Sequence, residues 1–207
     1  MGTSHSCKRP GLGALAACSP LAFAVAPCVA GIIGAGSAVE WRTQDGGNGH
    51  FYEAILSPTR VTWEQARDRA VELGGHLATL TSAAEDSFVF GIVANRPELW
   101  QSNSFGGPWL GAYQPNPTGT QPGQGWVWVT GETWDYTNWS PGEPGDQGWQ
   151  GGVESYLQYR DFSGGWNDFT NDGNVTYSFV VEYPVPGPGA AAVLVVCLGL
   201  SGRRRRS

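Results

Sequence analysis

Cysteine is missing from the part of the chain that can fold. Cys7, Cys18, Cys28 and Cys197 all lie outside Val39 to Tyr183, which excludes a disulfide scaffold or a thiolate metal site for the middle of the chain. Lysine is missing there too. Six arginines face eighteen acids, so this stretch carries −12 although the whole chain carries −6. A nucleic-acid binder needs a Lys/Arg footprint to neutralise phosphates, so no nucleic-acid partner is expected. The surplus of carboxylates favours hard cations or neutral polar partners. With 41% hydrophobic residues the chain lies well above the disordered range and can build a core.

Aromatic residues are what the middle has in quantity. All ten tryptophans and all seven tyrosines lie between Val39 and Tyr183. The ends are different. Lys8 and Arg9 precede an uncharged run from Pro10 to Val39, with Gly36-Ser37-Ala38 as small residues before a cut, which predicts a signal peptide over residues 1–38. An uncleaved membrane anchor is the alternative, and Pro20 and Pro27 weigh against it. At the other end a Pro/Gly linker over residues 184–189 leads to a short hydrophobic anchor over residues 190–207. Its thirteen apolar or small residues, Ala190 to Gly202, span only about 20 Å as a helix, short of the ~30 Å hydrocarbon core. Arg203 to Arg206 would snorkel and stay on the cytoplasmic side, placing the acidic domain outside the membrane. This tail resembles the PEP-CTERM sorting signals of bacterial exported proteins, with the departure that no Glu stands between the prolines. The expected localisation is the cell envelope or the exterior, with the membrane contacted through the tail.

The middle, residues 39–183, predicts an α+β domain. His50 to Ile55 alternates as a short strand ending at Ser57-Pro58. Thr62 and Gln65 make a capping box for a helix whose apolar face is Trp63, Ala66, Ala70 and Leu73, stopped by Gly74-Gly75. Leu77 to Leu80 is a short strand. Ser82 and Glu85 make a second capping box, and Phe88, Val89, Ile92 and Val93 form the stripe of a second helix that closes before Pro97. Short strands follow at Trp109–Tyr113, Trp126–Val129, Tyr156–Tyr159 and Tyr177–Tyr183. Between Gly131 and Glu154 lies a long loop without a clear period; loops of that length in compact domains are usually functional or disordered, and Trp134, Trp139, Trp149 and, just beyond, Trp166 argue for order.

TWEQARDRAVELGGHLATLTSAAED, WLGAY, TNWSPGEPG, VES, GGWNDF and FVVEY follow one another in the order and spacing of C-type lectin-like domains. The resemblance runs from about His50 to Tyr183. It implies a double-looped fold with two helices, short antiparallel strands, paired termini and a long ligand-binding loop. It also implies two disulfides, whose positions are occupied here by Ala70, Tyr156, Asn171 and Val181. An apolar contact between Ala70 and Val181 and tryptophan packing would then replace them, with Trp63, Trp109 and Trp139 as core residues.

The sugar-binding members hold Ca²⁺ in the long loop, and the matching residues are Glu143-Pro144-Gly145, Glu154 and Asn167-Asp168. Three carboxylates and an amide carbonyl supply most of the ~6–8 oxygens that Ca²⁺ takes, and sugar hydroxyls complete them. The resemblance implies a cis Pro144. Gly145 has no side-chain oxygen where the family places one, and Asp146 beside it is the candidate replacement. Trp149 is the candidate for stacking on a sugar face, with a role as a loop anchor as its alternative. Solvated acidic residues kept for turn chemistry are the alternative for the whole cluster. The resemblance therefore points to a glycan or polysaccharide as partner and Ca²⁺ as cofactor. A Ca²⁺-independent protein-interaction or structural role is the competing reading. Catalysis is not expected, since no activated nucleophile is present and His76 falls at a core position.

Overall fold

In chain order, the described residues form β1 (Val39–Glu40), β2 (Phe51–Val61), α1 (Trp63–Glu72), β3 (His76–Leu77), α2 (Ala83–Val93), β4 (Trp109–Tyr113), β5 (Val127–Trp128), β6 (Tyr156–Tyr159), β7 (Trp166–Phe169) and β8 (Thr176–Tyr183). The structure, a computed structural model, describes residues 38–101, 106–117, 120–145, 152–171 and 176–185. The signal segment before Ala38, the linker beyond Val185, the anchor at 190–207, Asp146 and Trp149 lie outside the described residues. Among the described residues no helix is long and apolar enough to cross a membrane.

The sheet runs in the order β1-β2-β8-β4-β6-β7, with β3 on β8 and β5 on β4. Every pairing is antiparallel except β4 with β8. The α+β class is thus observed, and the first and last long strands close the domain, Ala54 standing opposite Val180.

Side chains alternate across a strand, so a sheet covered on both sides feeds two cores. Tyr52, Ala54, Leu110, Ala112, Leu157, Tyr159 and Val180 face one cluster, shared with Val89 and Val93 of α2 and with Trp126, Trp128 and Trp166. Ile55, Trp109, Phe179 and Val181 face the other, shared with Trp63, Ala66 and Ala70 of α1. Ala70 and Val181 are both fully buried in this second cluster. Trp63 and Trp109 are buried as expected, and Trp139 packs against the first core from a half-buried position.

Helix α1 begins with the expected box: Thr62 Oγ1 accepts from the Gln65 N–H, and Gln65 Oε1 accepts from the Thr62 N–H. It ends where Gly74 takes a φ of 91°, a value glycine adopts without penalty. Gly75 follows because β8 passes so closely that a Cβ there would come within 2.3 Å of the Glu182 carbonyl oxygen.

Several expectations need correction. The first strand does not end at Ser57-Pro58. It continues to Val61 with a register irregularity between Leu56 and Val61, because Pro58 has no N–H for the ladder and the chain bulges instead of turning. Strand β3 stops at Leu77, since the Thr79 N–H donates to the Glu182 carboxylate at 2.9 Å and leaves the ladder. Only half of the second capping box forms. Ser82 accepts from the Glu85 N–H, but the Glu85 carboxylate turns inward to accept from Tyr52 Oη at 2.6 Å and the Thr81 N–H at 2.7 Å. Strand β7 (Trp166–Phe169) carries no strand signal in the sequence, because its central Asn167-Asp168 breaks the apolar pattern.

Candidate functional site

The described parts of the long loop, residues 131–145 and 152–154, have no helix and no extended strand. Tryptophan holds it in place. Trp134 lies 4.7 Å from Trp128 and 5.9 Å from Trp126 between ring centroids, and Trp139 lies 5.1 Å from Trp126. Trp139 also forms a parallel bridge with Trp166 at the start of β7: the Trp166 N–H donates to the Asn138 carbonyl at 2.7 Å, and the Ser140 N–H donates to the Trp166 carbonyl at 2.9 Å. The arm that ends in Glu143-Pro144-Gly145 is thereby laid along the strand that carries Asn167 and Asp168.

At the tip of this arm the Glu143 N–H donates to the Ser140 carbonyl at 2.9 Å, and the Glu143–Pro144 peptide is cis, as the resemblance implied. The Gly145 N–H donates to Asp168 Oδ1 at 2.9 Å. The half-buried Glu143 carboxyl and the fully buried Asp168 carboxyl both converge on Gly145, near enough for the Asp168 charge to act on Glu143. Burial raises the Glu143 carboxyl above its ordinary value, the Asp168 charge raises it further, and the Arg160 guanidinium opposes both from 3.7 Å. A side chain at position 145 would have met Glu143, since a Cβ there would lie 2.8 Å from Glu143 Oε2.

Asn167 is 7% exposed, and its amide nitrogen donates to the Asp168 carbonyl at 2.7 Å. Glu154, 8% exposed, lies two residues before β6, where the Ser155 N–H donates to the Phe169 carbonyl. The structure thus brings Glu143 and Asp168 together at Gly145, with Asn167 next to Asp168 on β7 and Glu154 just before β6. Among the described residues no three His, Cys, Asp or Glu side chains gather as a metal-binding group. The chemistry of the donor set is all oxygen and suits Ca²⁺, but the gathered carboxylates are two.

The lectin C-type domain family model matches residues 59–178, more than half of the chain. The chain belongs to the C-type lectin domain family. It is 35% identical to perlucin of Haliotis laevigata over 116 residues, 55% of this chain and 66% of perlucin. It is 32% identical to ladderlectin of Oncorhynchus mykiss over 130 residues, 60% of this chain and 58% of ladderlectin. The matches thus span about three-fifths to two-thirds of the length of these relatives. Among solved structures it is similar to the cow C-type carbohydrate-recognition domain of CD23, crystallised in the presence of a GlcNAc2Man3 oligosaccharide. The identity is 26% and the TM-score 0.51, over 67% of this chain and 90% of that one.

Two features of this lectin domain were invisible in the sequence. Arg160 reaches Glu143 and donates to the Pro141 carbonyl at 3.1 Å, gripping the loop tip from the end of β6. Its only sequence signal is that it is the single basic residue after Arg96 in the domain. The other is a buried acid network at the paired ends. Glu182 accepts from Thr79, and its Oε1 lies 2.6 Å from His50 Nδ1. His76 lies 3.8 Å from the same carboxylate, in keeping with a structural role.

Proposed function

We propose that this is an exported carbohydrate-binding module that recognises a glycan or envelope polysaccharide with Ca²⁺ held by Glu143, Glu154, Asn167 and Asp168, assisted by Asp146. The observation that carries the reading is the convergence of the Glu143 and Asp168 carboxyls on Gly145. Two neighbouring carboxylates repel each other when both are ionised, and a divalent cation relieves that repulsion. Bound there, Ca²⁺ would offer open coordination positions to a pair of sugar hydroxyls. The protein's own part is to aim the oxygens. The Gly145 N–H fixes the Asp168 carboxylate, and the Asn167 amide nitrogen is tied back so that its carbonyl oxygen serves as the ligand atom. Trp149 would add a stacking face. The domain binds and does not turn over substrate. The segments at 1–38 and 190–207 would export it and hold it at the membrane through the tail.

Isothermal titration with Ca²⁺ and a glycan array with and without chelator test this. Heat at up to millimolar Ca²⁺ and chelator-sensitive glycan binding are expected, and their absence counts against it. Arg160 favours a second reading, since it already places a cation beside Glu143. In that reading the domain binds a protein or matrix partner without Ca²⁺. Glu154→Gln leaves binding intact under the second reading and abolishes it under the first.

A further inference from the structure

Asp86 is 3% exposed on α2, and its two oxygens divide their work. Oδ2 accepts from Asn138 Nδ2 at 2.7 Å and from Tyr136 Oη at 3.1 Å, both on the long loop. Oδ1 accepts from Tyr159 Oη at 2.8 Å and from Trp166 Nε1 at 3.3 Å, both on the β6–β7 hairpin. A carboxylate has about four lone-pair sites, so this one is saturated by four donors. No amide can replace it, because one end of an Asn would present N–H groups to two donors. Asn138 opens the arm that leads to Glu143, and Trp166 lies two residues before Asp168. The carboxylate therefore sits where the two halves of the ligand site are joined.

We propose that Asp86 is a positioning residue for the ligand site: by holding Tyr136 and Asn138 on one oxygen and Tyr159 and Trp166 on the other, it fixes the Glu143 arm against the Asn167-Asp168 strand. This rests on the reading of that site given above, although the geometry it describes is independent of metal. A merely structural carboxylate would stabilise the whole domain. A positioning one stabilises the junction in particular.

Native-state amide exchange separates the two. In Asp86→Asn, the Ser140, Gly145 and Trp166 amides are expected to exchange at least about tenfold faster, as hydrogen bonds to a charged group are among the stronger ones. The Ile55 and Phe179 amides, which face each other across β2 and β8, should stay protected relative to them. Val93→Ala, a buried apolar change on the same helix, serves as the control and should speed both sets by a common factor. If Asp86→Asn does not fold, Tyr136→Phe removes one loop donor and should loosen Ser140 while sparing Ile55. Equal acceleration everywhere, or unchanged Ser140 and Gly145 amides, overturns the proposal. A Ca²⁺ titration of both proteins adds the functional outcome, an affinity at least tenfold weaker in Asp86→Asn and unchanged in Val93→Ala. Wild-type protein that binds no Ca²⁺ overturns the metal reading alone, and the exchange result still decides the role of Asp86.

Discussion

The main-chain N–H of Trp63 donates to Asn171 Oδ1 at 2.9 Å, joining the first residue of α1 to the segment after β7. On its other side the Trp63 ring lies 5.0 Å from Tyr156. Tyr156 and Asn171 are the two positions at which the family resemblance implies a bridge, and here both are brought onto one tryptophan. The link is no longer covalent but it has the same end points. Asn171→Ala leaves the Trp63 N–H without this acceptor, so a loss of about 1–3 kcal/mol is expected in urea unfolding, with the β2–β8 pairing intact by far-UV circular dichroism.

Trp134 does for the long loop what Trp63 does for α1. It touches Trp126, Trp128, Trp139 and Trp166, which come from three separate stretches of chain. Trp134→Ala is expected to cost about 3 kcal/mol, the low end for a tryptophan truncation because the ring is only half-buried. Limited proteolysis should then cut within residues 131–145 before it cuts elsewhere. Cleavage spread evenly over the domain would show that the ring supports the fold as a whole.

The elements that local chemistry decides were legible in the sequence. The Thr62–Gln65 box, the Gly74 stop and the Trp109–Tyr113 strand stand where the pattern placed them. What failed was decided at long range. Glu85 has the spacing of a capping residue, but Tyr52, thirty-three positions away, offers it a buried donor instead. Asp168 is hydrophilic by type and fully buried in fact, its carboxylate met by the Gly145 N–H of the long loop. Of the candidate site, the family pattern pointed to Glu143, Asn167 and Asp168, and the fold brings Glu143 and Asp168 together at Gly145. Arg160 and Asp86 were not, since a lone Arg and a helix Asp carry no periodic or motif signal.

Burial is the largest cause raising the carboxyl of Glu85, and the nearby Glu182 adds to it. A carboxyl raised in the folded state binds its proton more tightly there than in the unfolded chain. Its contribution is therefore fully present below the unfolded value and is lost as pH rises through the folded one. The urea midpoint should accordingly fall as pH rises across the window above the ordinary glutamate value. Glu85→Gln should flatten this part of the profile. An unchanged slope in the variant would assign the pH dependence to other groups, Asp86 first among them, since burial raises it as well.

Glu143 shows the opposing demands of stability and binding most directly. Its carboxyl is set near that of Asp168, and burial and the Asp168 charge both disfavour its ionised form. Glu143→Gln removes the repulsion and replaces it with an amide that can donate to Asp168, so the metal-free domain should melt at a higher temperature than the wild type. The same change removes a charged oxygen ligand. A ligand that binds only the folded state stabilises it by about 2.7 kcal/mol at a hundred times its Kd. Saturating Ca²⁺ should therefore raise the melting temperature of the wild type and leave that of Glu143→Gln nearly unmoved, so that the order of the two proteins reverses on adding the metal. Parallel shifts in both would place the ion elsewhere. No shift in either would leave Arg160 as the cation that serves Glu143, and with it the Ca²⁺-independent reading.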